Sequence, residues 1–193
     1  MEADGVAEPT WDERMGPILE AAEQGEATIM GTLLDMAGLA IDTPGEDNDT
    51  CLHIGSLHGQ IDVVRECLKR GASAGTRDED GSTPLHDACA GGYYEIAVLL
   101  LDEGALIEAY DNDGDSPLHL AVNGGHGHVA ELLLTRAGGD RSNALWNTAN
   151  AAGCKPADLA EDPTLLSRMQ ALLSGQPAGE DNETGGPRAK RRA

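Results

Sequence analysis

The chain is 193 residues long, enough for one domain with a real core or for one short repeat array. With no Phe, three Tyr, two Trp and 25 Gly, its centre cannot be built from aromatics, which predicts thin, closely stacked Ala- and Leu-rich helices. Thirty-four Asp and Glu against 13 Lys and Arg give a net charge of −21, which repels phosphates and anionic lipid, excludes nucleic acid as a ligand of the folded body, and favours basic proteins.

Residues 1–12 are acidic and polar, lack the apolar run of a secretory leader, and read as a disordered segment. No stretch approaches the ~20 apolar residues of a membrane span. The four cysteines have neither C-x-x-C nor zinc-finger spacing, so the chain is expected to be intracellular with reduced thiols. From Gly16 to Ile41, "GPILEAAEQGEATIMGTLLDMAGLAI" has helix–turn–helix spacing. "NDTCLHIGSLHGQ" (48–60), "GSTPLHDACAGGY" (81–93) and "GDSPLHLAVNGGH" (114–126) then recur every 33 residues, each followed by an apolar block and a glycine-type stop. "GCKPADLAEDPTLLSRMQALLSG" (153–175) keeps the Gly, Pro and Leu-Ala of the pattern.

Within one copy the helices follow from local chemistry. Thr83 precedes Pro84, which suits a first helical position because its missing N–H is not needed there. Leu85, Ala88 and Cys89 then fall on one face. Gly91-Gly92 ends that helix, Ile96 to Leu101 supply a second, and Gly104 stops it. "GTRDEDG" and "EAYDNDG" are acidic turns closed by Gly. Each copy has an apolar face that only a neighbour can bury.

The period and the T-P-L-H-x-A pattern resemble the ankyrin repeat, over about residues 13–175, with the overall look of small intracellular, plant-type ankyrin proteins. The resemblance implies an all-α solenoid of about five helix–turn–helix units with short hairpin or loop fingers. It implies that Thr83, Pro84 and His86, with His53, Pro117 and His119, are structural motif residues tying units together. Ser82, His86, Asp87 and Cys89 also have the residue types of a Cys/His hydrolase. A catalytic base has no reason to recur in phase as His53, His86 and His119 do, and Ile54 and Leu120 replace Asp87 in the flanking copies. Structural or solvated roles outweigh a zinc site for His126 and His128, so no catalytic residue, metal or cofactor is assigned. The glycine pairs are interhelical turns and not phosphate loops.

The resemblance places partner contacts on a concave face of fingers and first helices. That assigns Asp47 and Asp49; Arg77, Glu79, Asp80 and Ser82; Tyr110, Asn112, Asp113 and Asp115; and His58 and Asn123, beside Leu57 and Ala90. Asp78 and Asp111 are credited to the fold. Carboxylates beyond those two build a negative strip, although the same residues also serve turn geometry and solubility. Six residues more than one repeat separate Gly114 from Gly153, and this insertion carries Trp146, either a partner contact or a cover for the last repeat. Glu66 stands where sister copies have Leu99 and Leu132, and Ala137 replaces a helix-ending Gly.

Residues 176–193 read as a disordered tail ending in "PRAKRRA", with four of the 13 cations in the last six positions, a candidate nuclear import signal or an occupant of the chain's own groove. The sequence thus predicts a monomeric, non-enzymatic interaction module, cytoplasmic with a route to the nucleus. A protein with a basic segment would be its scaffolded, adapted or chaperoned partner. The alternative is a regulatory subunit docking apolar surface near Trp146.

Overall fold

The structure is a computed structural model that describes residues 11–174; the expectations for residues 1–10 and for the basic tail lie outside the described residues. Helices α1 (Trp11–Glu23) and α2 (Ala27–Ala37) form the first unit, so Trp11 and Asp12 belong to a helix and the ordered body starts earlier than residue 13. Units two to four are α3 (Cys51–Leu57) with α4 (Ile61–Lys69), α5 (Pro84–Ala90) with α6 (Tyr94–Asp102), and α7 (Pro117–Asn123) with α8 (Gly127–Ala137). An additional helix, α9 (Gly139–Asn147), precedes the last pair, α10 (Pro156–Leu159) and α11 (Pro163–Ser174). Among the described residues there is no strand.

First helices stack on first helices (α1, α3, α5, α7, α10), and second helices on second helices (α2, α4, α6, α8, α11). The core between the layers is aliphatic, with Ile18, Leu34, Leu52, Leu85, Leu100, Leu118 and Leu133 almost fully buried. Small residues let the layers approach. Ala88, Ala97, Ala121 and Ala130 are fully buried, so dispersion between backbones and short side chains takes the place of aromatic filling.

The six-residue insertion is a helix and not a loop. Leu145 and Trp146 of α9 turn inward and are buried, while the α8 helix ends at Ala137 because Gly138, at φ 71°, follows it. Trp146 is therefore buried where α9 packs against α8, α10 and α11. Only 5% exposed, it offers no surface to a partner, which corrects its assignment as a contact.

Each finger is a tight turn closed on itself: Asp78 N–H donates to Ser82 O at 3.1 Å, Asp111 N–H to Asp115 O at 3.0 Å, and Asn150 N–H to Cys154 O at 2.9 Å. Consecutive fingers are then joined main chain to main chain. Glu79 N–H donates to Asp47 O at 3.1 Å, Asn112 N–H to Asp80 O at 2.9 Å and Ala151 N–H to Asp113 O at 2.9 Å. The turn needs one left-handed residue, supplied by Asn48, Gly81, Gly114 and Gly153. At Gly81 a Cβ would also stand 2.7 Å from Asn112 Oδ1. Gly81→Ala should therefore cost about 2 kcal/mol, from left-handed strain plus loss of the finger contact, read as a lower urea midpoint with an unchanged slope.

Candidate partner-binding face

The recurring histidines are the joints that hold this face in place. Thr83 N–H donates to His86 Nδ1 at 3.0 Å, and the Thr83 hydroxyl lies 2.9 Å from the same nitrogen. Nδ1 is thus the acceptor, which leaves the proton on Nε2, and Nε2 donates to Asp115 O of the next finger at 3.2 Å. His53 and His119 repeat the Nδ1 contacts with Thr50 and Ser116, but their buried Nε2 atoms have no partner among the described residues. Burial holds all three imidazoles below the usual histidine range, hence neutral.

No hydrolase site assembles at the second of these joints. His86 Nδ1 is committed to Thr83, and Cys89 is fully buried, its thiol pushed well above the ordinary range by burial and then by the charge of Asp87. His126 Nε2 donates to Ala90 O at 3.0 Å and His128 Nε2 to Gly92 O at 3.2 Å. These two histidines stitch the fourth unit to the turn of the third.

Several residues expected at the partner face are occupied by the fold. Arg77 donates through Nη1 to Gly81 O and, at 2.8 Å, to Tyr110 O. Asn112 Nδ2 donates to Glu79 O at 3.0 Å, and Asp115 accepts from Asn150 Nδ2 at 2.7 Å. These three side chains bind neighbouring fingers and are not free to grip a ligand. Ser82 is half-buried beneath Asp78, whose Oδ1 accepts its N–H at 2.7 Å. Asp111 Oδ1 likewise accepts from Asp113 and Asp115 N–H, in keeping with a fold role for Asp78 and Asp111. Glu66 pairs with Arg70 at 2.8 Å and with Lys69 at 3.2 Å.

Asp47, His58, Glu79, Asp80, Tyr110, Asp113 and Asn123 are exposed, along with Leu57 and Ala90. Asp49 is half-buried, and its carboxyl is pushed up to about 6 by burial and then by Asp78, Asp47, Glu79 and Asp80. Asp87 was not expected here. It is half-buried on α5, and burial, then Asp78 and Asp49, push its carboxyl up to about 8. No cation and no hydrogen-bond donor among the described residues offsets it. The signal was in the sequence, as an acid in phase with Ile54 and Leu120.

A separate groove of about 440 Å³ opens between α8, α9 and α11, with Leu134, Leu172 and Leu173 along its apolar side. Trp146 does not line it. No helix among the described residues is long and apolar enough to cross a membrane.

Residues 52–143, which span α3 to α8 and most of α9, match the family model described as ankyrin repeats, three copies. No curated protein matches the chain. Ankyrin repeats generally mediate protein–protein interaction. With the paired layers, the in-phase histidines and the joined fingers, the match identifies residues 52–143 of this chain as ankyrin repeats.

Proposed function

We propose that the protein acts as an adaptor or chaperone that holds a basic segment of a partner protein against the face formed by the fingers and the first helices. The observation that carries this reading is the uncompensated carboxyl of Asp87 beside Asp49 and Asp78. Two carboxyl groups, Asp87 and Asp49, kept partly from water beside further acids are costly for the free protein. A lysine or arginine from a partner removes that cost and gains charge-assisted hydrogen bonds. The exposed side chains of Leu57 and Tyr110 give the aliphatic stem of such a residue, or an apolar neighbour, something to pack on.

A fluorescent peptide alternating Lys-Arg pairs with Leu tests the reading by anisotropy. Binding is expected at 50 mM salt, weakening at least ten-fold by 300 mM, because exposed carboxylates supply much of the attraction. Asp87→Asn should weaken it about ten-fold and Asp113→Asn much less. Equal binding of a Gln-for-Lys/Arg control peptide would overturn the proposal. The groove between α8, α9 and α11 supports a second reading, in which an apolar segment docks at Leu172 and Leu173; that binding would hardly respond to salt.

A further inference from the structure

The joints between successive units are not equal. Across the first joint Arg70 pairs with Asp35 at 2.8 Å, and Gln60 Nε2 donates to Glu23 O at 2.7 Å. Across the third, Arg136 pairs with Asp102 at 2.8 Å, beside the His86, Arg77 and Asn112 bonds described above. Across the fourth, Asn150 bonds Asp115 and Arg168 pairs with Glu131. At the second joint, among the described residues, no side chain pairs with a side chain. Two main-chain donors cross it: Ser73 N–H to the Asp42 carboxylate at 3.1 Å and Glu79 N–H to Asp47 O. His53 Nε2, placed like His86 Nε2, is buried without a partner here, as His119 Nε2 is at the fourth joint.

This joint also carries repulsion. Asp49 belongs to the finger of the second unit and Asp78 and Asp87 to the third; Asp78 and Asp49 act on Asp87, and Asp78, Asp47, Glu79 and Asp80 act on Asp49. In a solenoid each unit is held by its neighbours alone, so a weak joint divides the stack into blocks of different stability. On the N-terminal side of this joint Met15, Ile18, Met30, Leu34, Leu52 and Val63 are buried.

We propose that the stack opens first between its second and third units, α1–α4 leaving the body as one cooperative block, and that the acidic side chains packed across this joint set how often it opens. The inference does not rest on the binding reading, because the opening belongs to the free protein. Hydrogen–deuterium exchange with mass spectrometry on the full chain at pH 7.5 tests it. The expected result is a common protection across α1–α4, followed by a step of at least ten-fold to higher protection at α5. Asp87→Asn should raise protection in α1–α4 by about ten-fold and leave α7 and α8 unchanged. Protection that rises smoothly from α1 to α6 would overturn the proposal, as would an Asp87→Asn effect spread evenly over every helix.

Discussion

Asp87→Asn should make the protein more stable at pH 8, by about 2 kcal/mol, and raise its Tm by about 5 °C. In the unfolded chain this carboxyl ionises near 4, whereas in the folded protein it does so at about 8. Between those values the folded state holds a proton that the unfolded state has released. Stability from this group is complete below the unfolded value and is lost as pH rises through the folded one. The full interval corresponds to a limit of about 5 kcal/mol, and water at the exposed side of the carboxyl reduces it to the smaller figure. Asp49 adds a similar loss that ends near its own value of about 6. The three buried imidazoles act in the opposite sense: held neutral, they lose stability as pH falls below the unfolded value near 6.5. Three imidazoles outweigh two carboxyls on the acid side, and Asp87 alone acts between 6.5 and 8. Urea unfolding followed from pH 5 to 8.5 should therefore peak near 6.5, and Asp87→Asn should flatten the alkaline limb. An alkaline limb unaltered in the variant would show that Asp87 is fully hydrated. The same substitution weakens binding of a basic segment on the reading above, so stability and affinity move in opposite directions at one residue.

His86→Ala should be the most damaging single change in the motif, costing about 4 kcal/mol. It opens a cavity at a fully buried position and leaves Thr83 N–H and Asp115 O without their partner. His53→Ala removes a ring that is buried as deeply but makes no bond through Nε2, so it should cost about 1 kcal/mol less. Urea midpoints of the two variants at pH 7 give the comparison directly. Equal losses would mean that the ring matters by its volume and that the Nε2 bond to the next finger contributes nothing.

The array itself was legible because its signal is redundant. Pro84 and Pro117, His53, His86 and His119, and the glycine stops each mark the same phase, so an error at one position is corrected at the next. The joints were legible only in kind. That Arg77 and Asn112 serve neighbouring fingers depends on which carbonyls stand opposite them across 33 residues of chain, and local pattern does not carry that. Trp146 was ambiguous because a lone aromatic in an insertion has no period to place it; α9 turns it inward. Asp87 was visible as an acid among aliphatic counterparts, but its importance depends on how far the stack buries it and then on the charges of Asp78 and of Asp49, the last 38 positions away in the chain.

The chain of bonds between fingers gives the protein an unusual relation between length and register. Every main-chain bond runs from an N–H of one finger to a C=O of the finger before it, so each inner unit presents an acceptor on one edge and a donor on the other. A segment of 33 residues cut from Gly71 to Glu103 and pasted in tandem would present the same two edges and take its place in the row. An insertion inside a finger would break the row, whereas the six additional residues of this chain lie between the last two fingers, where a separate helix, α9, takes them up. Copying or deleting whole units is thus a change the architecture absorbs. What such a change alters is the distance between carboxylates along the face, and with it the length of partner that the face can span.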